Sequence, residues 1–138
     1  MKNRIFAMQE LEDPLARQII GLAMKVHRIL GCGFSESVYR NALTIELRRA
    51  DIAFVVHPTL SVTYEGIEVG AFQADLIIDG RLIVELKAVE GLNTAHSAQL
   101  VHYLRATNID YGLLLNFGTQ SLEFKTKSRH YPPPDLHS

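Results

Sequence analysis

The first fifty residues carry an apolar pattern of helical period. After the pair Asp13-Pro14, which is typical of a helix start, apolar residues recur at helical spacing over positions 15–30, before Gly31-Cys32-Gly33. Ser35 is placed to cap a second helix that runs to about Ala50. The spacing predicts that this second helix buries a stripe of Val38, Ala42 and Ile45, with Leu43 beside it.

The pattern changes to short apolar runs separated by turn residues from Ile52 onward. These runs predict strands over residues 54–56, 60–64, 72–78 and 81–89, a third helix from Asn93 or Thr94 to about Thr107, and strands over 111–117 and 121–127. The run 111–117 is apolar on both faces, as expected of a central or parallel strand. This order of elements predicts an α/β protein with three α/β/α layers.

Length and composition indicate one ordinary globular domain. The chain has 138 residues, 47% of them hydrophobic, so we expect a single domain over 1–138 with flexible tails at about 1–12 and 130–138. A net charge of −1 gives no global signature of a nucleic-acid binder, although a local groove could still be positive. The single cysteine, Cys32, excludes an internal disulfide. Without a membrane-length apolar run or a signal-peptide core, we expect a cytoplasmic protein.

Three charged residues interrupt the apolar hairpin predicted over residues 72–89. Asp75 lies on its first strand, and Glu85 and Lys87 lie on its second. Strand side chains alternate, so Glu85 and Lys87 project from one face, roughly 6–7 Å apart. Charges in so apolar a hairpin are costly unless they have partners or a function. A divalent metal held by the two carboxylates beside the lysine would supply both.

The turn of this hairpin decides whether such a metal site can form. A two-residue Asp79-Gly80 loop would set Asp75 opposite Val84, pointing away from Glu85. A three-residue loop over 78–80, with Gly80 in the left-handed region and a bulge, would set Asp75 opposite Ile83 and on the face of Glu85. The metal-site hypothesis requires the three-residue loop, because only that loop sets Asp75 and Glu85 on the same face.

The predicted third helix follows directly on the strand of Lys87. His96, Gln99 and Tyr103 share one of its faces, while Leu100 and Leu104 point toward the core. Gln99 and Tyr103 are therefore expected beside Glu85 and Lys87. His96 and His102 are six residues apart and fall on different faces, which argues against a paired histidine metal site.

Three motifs along the chain resemble those of a known group of proteins. Asp75 with Glu85-Leu-Lys87 looks like the signature of the PD-(D/E)XK nuclease superfamily, and Gln99-Leu-Val-His-Tyr103 is similar to the Q-x-x-x-Y motif of its RecB-like branch. Upstream, the run from Gly33 through Glu36 to Tyr39 resembles the motif that names the GxxExxY family of small bacterial proteins. The resemblance spans about residues 15–118.

This resemblance implies a restriction-endonuclease-like core with a mixed sheet and a metal-dependent phosphodiesterase acting on nucleic acid, with DNA favoured. Asp75 and Glu85 would bind Mg²⁺ or Mn²⁺, with Glu36 as an additional ligand. Lys87 would position or deprotonate water, or stabilise the developing negative charge. Gln99 would orient Lys87 or the nucleophile, and Tyr103 and Tyr39 would lie at the substrate or behind the catalytic groups.

Plainer interpretations of these residues remain open at the level of sequence. Glu85 and Lys87 also suit a solvated ion pair, and Glu36 also suits the positive end of its helix dipole. Gln99 and Tyr103 also suit buried polar positions. The main alternative function is a non-catalytic nucleic-acid-binding or assembly module that keeps the fold. A third is an enzyme for another phosphate-bearing substrate. The small size and near-neutral charge favour a homodimer or a partner protein.

Overall fold

The computed structural model describes residues 13–130. It contains three helices, α1 (Pro14–Leu30), α2 (Glu36–Arg49) and α3 (Thr94–Thr107). Its seven strands are β1 (Phe54–Val56), β2 (Thr59–Tyr64), β3 (Ile67–Gln73), β4 (Leu76–Ile78), β5 (Leu82–Lys87), β6 (Tyr111–Asn116) and β7 (Glu123–Ser128). The tails predicted over about 1–12 and 130–138 lie outside the described part of the chain, except for His130. None of the three helices is long and apolar enough to cross a membrane.

Five strands form a mixed sheet in the order β1-β4-β5-β6-β7. The central pair β5 and β6 is parallel, and every other pair is antiparallel. A parallel pair needs a long crossover connection, which α3 supplies between β5 and β6. Strands β2 and β3 form a separate two-stranded sheet.

Helices cover both faces of the five-stranded sheet, which confirms the predicted three layers. α1 and α2 share one apolar cluster with Leu113 and Leu115, whereas Leu114 of the same strand packs with α3 on the other face. Gly112 permits the close approach of α3, because a Cβ atom there would lie 2.8 Å from Leu100 Cδ1. The strand predicted to be apolar on both faces is therefore the parallel strand β6, buried by both helical layers.

The predicted buried stripe of α2 is wrong for two of its four residues. Val38 and Ile45 are exposed, and the helix buries Tyr39, Leu43 and Leu47 instead. Its core face is thus centred one position, about 100° of rotation, from the predicted face. The Tyr39 ring can be buried because it stacks on Phe117 at 4.5 Å between ring centroids and its hydroxyl donates to the Gly31 carbonyl at 2.6 Å.

The strand predicted over 72–78 is two strands that pair with different neighbours. β3 ends at Gln73 and pairs with β2, whereas β4 begins at Leu76 and pairs with β1 and β5. The backbone between them bonds to the β1–β2 connection: Ala74 N–H donates to the Pro58 carbonyl, and His57 N–H donates to the Asp75 carbonyl. This break leaves Asp75 immediately before β4 and beside the carboxyl-terminal half of β5.

Candidate active site

The turn between β4 and β5 has the loop length that sets Asp75 and Glu85 on the same face, as a shared site requires. Arg81 N–H donates to the Ile78 carbonyl, and the two residues between them, Asp79 and Gly80, both have positive φ. The ladder then starts with Ile78 opposite Leu82, so Arg81 is an extra residue in the loop. The predicted parity is confirmed, but the loop comprises residues 79–81, one position later than the expected 78–80.

Asp75 and Glu85 consequently face each other across neighbouring chains. Leu76 pairs with Val84, and one more step of that register sets Asp75 opposite Glu85 instead of the expected Ile83. Asp75 N–H donates to Glu85 Oε1 at 3.2 Å, and Leu86 N–H donates to Asp75 Oδ2 at 2.8 Å. Each carboxylate is thus held by the backbone of the other segment, which fixes the pair on rigid structure.

The proximity of the two carboxylates changes the acidity of Glu85. Burial, followed by the negative charge of Asp75, raises the pKa of Glu85 to about 8. A hydrogen bond from the protonated Glu85 side chain to Asp75 acts in the same direction, and the positive charge of Lys87 acts against it. The pair therefore favours either a shared proton or a cation between the two side chains.

Lys87 lies on the same side of β5 as Glu85. Ile83 lies two residues before Glu85 and four before Lys87, and it belongs to the cluster under α3. Leu82, Val84 and Leu86 alternate with these residues and belong to the opposite cluster. The Lys87 backbone is fixed because its carbonyl accepts the Phe117 N–H at 2.8 Å. Within residues 13–130, no carboxylate forms an ion pair with the Lys87 ammonium, so its charge is available to a ligand.

Helix α3 brings Gln99 and Tyr103 to this site. Burial, followed by the negative charge of Glu85, raises the pKa of Tyr103, while a side-chain hydrogen bond with Gln99 acts to lower it. The Tyr103 ring stacks on Phe72 of β3 with centroids 3.7 Å apart. His96, on the same helix, instead completes a capping box with Asn93, and this accounts for its position without a ligand.

Glu36 and Tyr39 are not grouped with the two carboxylates. Among the described residues, no three His, Cys, Asp or Glu side chains form a cluster that could hold a metal ion, so Glu36 does not join Asp75 and Glu85 as a third ligand in this geometry. Tyr39 is fully buried and cannot touch a substrate. Its hydroxyl also accepts the Phe34 N–H at 3.2 Å, so this tyrosine holds the Gly31–Phe34 loop in front of Glu36.

Sequence reasoning missed Arg40. This α2 residue places Nη1 3.3 Å from Asp75 Oδ1 and forms the ion pair of the site. A signal was present, since Arg40 follows Glu36 by four residues and so lies on the same side of the helix. What the sequence did not show is which face of α2 turns toward the sheet.

Sequence reasoning also missed Asn116, the buried last residue of β6. Its side-chain oxygen accepts the N–H groups of Val89 and Gly118, and its amide donates to the Val89 carbonyl and to Glu123 Oε1, each at 3.0 Å. Glu123 Oε1 also accepts the Leu92 N–H at 3.0 Å. This network fixes the connection from Lys87 to α3. A polar residue that ends an otherwise apolar strand was the available signal.

The side chains present fit a hard divalent cation. Two carboxylates on neighbouring chains offer the oxygen ligands that Mg²⁺ and Mn²⁺ prefer, and Mg²⁺ sites commonly use one or two carboxylates completed by water and substrate phosphate. A cation there would also relieve the repulsion between Asp75 and Glu85.

Comparison with known proteins agrees with this architecture. A family model described as the PD-(D/E)XK nuclease superfamily matches residues 13–128, nearly the whole described chain. The chain belongs to the PD-(D/E)XK nuclease superfamily. Its five-stranded mixed sheet between helical layers is consistent with the restriction-endonuclease-like fold of that class.

Individual relatives add little to the family assignment. No curated protein matches the chain. A solved structure titled "Crystal structure of SSO0001" aligns at 17% identity with a TM-score of 0.49, over 67% of this chain and 50% of that one. The chain thus spans about half the length of that protein.

Proposed function

We propose that this protein is a metal-dependent phosphodiesterase that hydrolyses nucleic acid, of the GxxExxY group within its superfamily. The observation that carries the proposal is that Asp75 and Glu85 face each other while the ammonium charge of Lys87, on the same side of β5, acts on Glu85. DNA is the favoured substrate because of the family resemblance, and the proposed setting is the cytoplasm.

Each side chain has a separate role in this hydrolysis. Asp75 and Glu85 would hold Mg²⁺ or Mn²⁺, and the cation would polarise the phosphate and make bound water more acidic. Lys87 stabilises the charge that develops on the phosphoryl oxygens and positions the attacking water. Gln99, whose side chain hydrogen-bonds with Tyr103, would orient Lys87 or the attacking water, and Tyr103 would line the wall beside Glu85. Glu36 would assist the cation only through water, and Tyr39 supports the loop that precedes Glu36.

A cleavage assay with a matched lysine variant tests this proposal. Single- and double-stranded DNA and RNA are incubated with the wild type and with Lys87→Met, each with Mg²⁺, with Mn²⁺ and with a chelator. We expect metal-dependent cleavage of at least one substrate by the wild type and a loss of at least about 100-fold in Lys87→Met. Equal cleavage by both proteins would contradict the assignment.

The same assay distinguishes the principal alternative. A non-catalytic nucleic-acid-binding or assembly module would leave all of these substrates uncut under every metal condition. Cleavage of small phosphodiesters alone would instead indicate another phosphate-bearing substrate. Sedimentation of the wild type with and without nucleic acid would show whether the protein is a homodimer and whether nucleic acid changes that state.

A further inference from the structure

Arg40 is the charged neighbour of the site that the proposed reaction leaves without a role. Its ion pair with Asp75 is largely shielded from solvent, since the two side chains are 14% and 15% exposed. Screening by salt is weak for a pair buried to this degree. Arg40 approaches from α2, whereas Lys87 approaches from β5, so the two cations reach the site from different elements.

The two oxygens of Asp75 are not equivalent. Oδ2 accepts the Leu86 N–H at 2.8 Å and is fixed by the strand. Oδ1 meets Arg40 at 3.3 Å, longer than the roughly 2.7–2.9 Å of a strong charge-assisted hydrogen bond. Binding of a metal ion to Oδ1 would therefore cost less hydrogen-bonding energy than binding to Oδ2, and Arg40 is the group that it would displace.

Charge and donor geometry indicate where the displaced side chain would go. When both carboxylates are ionised, their charges balance those of Arg40 and Lys87, so a divalent cation bound between them leaves the site with two surplus positive charges. A guanidinium carries five N–H donors in a planar fork suited to phosphate oxygens, and the described contacts of Arg40 use one of them.

We propose that Arg40 is a phosphate-binding residue, held on Asp75 Oδ1 until a divalent cation takes that oxygen and then turned toward a non-bridging oxygen of the nucleic-acid backbone. This inference rests on the proposed function and adds a residue to substrate binding. It also makes metal and nucleic acid bind with positive cooperativity, because the metal releases the side chain that the substrate uses.

The first test measures metal binding alone. Mn²⁺ is titrated by calorimetry into the wild type, Arg40→Met and Arg49→Met, with folding checked by circular dichroism. Arg49 is a matched control because it lies on the same helix, is exposed, and pairs with Glu46 at 3.4 Å. We expect Arg40→Met to bind Mn²⁺ more tightly, on the order of tenfold, because its competitor is gone. Unchanged or weaker binding would overturn the proposal.

The second test measures nucleic-acid affinity in a Lys87→Met background, which removes cleavage. With Mn²⁺ present, the affinity of a labelled single-stranded oligonucleotide is followed against salt. Arg40→Met should bind about tenfold more weakly, and its slope of log affinity against log salt should be shallower by about 0.7. Arg40→Lys should keep the slope and recover part of the affinity. A wild-type slope in Arg40→Met would refute the phosphate contact.

These outcomes separate the inference from the function on which it rests. If the wild type cuts no nucleic acid but both shifts occur, the proposed hydrolysis fails and the Arg40 phosphate site stands. If the wild type cuts nucleic acid and neither shift occurs, Arg40 has no such role and the hydrolysis stands.

Discussion

The two faces of the central sheet have different contents although they share the same strands. Eighteen of the described residues form the buried apolar cluster under α1 and α2, whereas five form the cluster under α3. The ionisable groups Glu85, Lys87 and Tyr103 lie on the α3 side. One face thus supplies most of the apolar burial, and the other has room for chemistry.

Strand β5 shows how a single sequence serves both faces. Leu82, Val84 and Leu86 enter the large cluster, while Ile83 enters the small one and Glu85 and Lys87 follow it. Alternation along a strand separates the two sets without any change of backbone. We infer that β5 tolerates its charged residues because the apolar residues on its opposite face are buried and stabilise the strand.

The largest expected effect falls on the charged residues of the candidate site and on activity. Asp75→Asn, Glu85→Gln and Lys87→Ala should each lower kcat by at least about 100-fold, because each removes a metal ligand or the stabilising charge. All three should remain folded, since the large cluster is untouched. Steady-state kinetics together with circular dichroism checks this, and near wild-type turnover in any variant would remove that residue from the site.

Core truncations should lower stability, and the loss should be larger in the cluster under α1 and α2 than in the cluster under α3. Leu43→Ala in the large cluster should destabilise the protein by about 4–5 kcal/mol, and Leu104→Ala in the small cluster by about 2–3 kcal/mol. Both leucines are fully buried, but a cavity near a thin layer can relax more readily. Urea unfolding measures both changes, and equal losses would mean that the two clusters are equally rigid.

Stability without metal should depend on pH through Glu85. A glutamate in the unfolded chain ionises near pH 4.3, whereas burial beside Asp75 raises the pKa of Glu85 to about 8. Between these values the folded state binds the extra proton, so stability is full below about pH 4.3 and is lost as pH rises to about 8. The slope from this group is at most about 1.4 kcal/mol per pH unit. Urea unfolding of Glu85→Gln across this range should show a flatter profile, and an identical profile would exclude Glu85 as the cause.

Much of the fold follows from periodicity and turn residues. The helix cap at Asp13, whose side chain accepts the Leu15 N–H at 2.9 Å, and the core residues Leu100 and Leu104 match their predictions. The face of α2 does not, because two apolar stripes are available on it and the hydrogen bonds of the Tyr39 hydroxyl decide between them. Those partners lie in a loop whose path the sequence does not display.

The candidate site was only partly predictable for a similar reason. Motif spacing indicated Asp75, Glu85 and Lys87, since alternation along a strand is a local property. The ion pair with Arg40 and the amide network of Asn116 depend on how separate elements meet in space. The extra loop residue Arg81, which decides the parity of the hairpin, depends on turn geometry that Asp79-Gly80 alone leaves open.

The central claim is that Asp75 and Glu85 jointly bind a divalent cation. Its most direct test is the melting temperature of the wild type, Asp75→Asn and Asp79→Asn with and without Mn²⁺. Asp79 is the matched control because it lies on the same hairpin and its side chain is 58% exposed.

With a Kd of ~1 mM for the folded state, ~10 mM Mn²⁺ should stabilise the wild type by about 1.4 kcal/mol. This corresponds to a rise of roughly 4–8 °C in the melting temperature. Asp79→Asn should show the same rise, and Asp75→Asn should lose most of it. Equal shifts in all three proteins would place the metal elsewhere and contradict the account at its central residue.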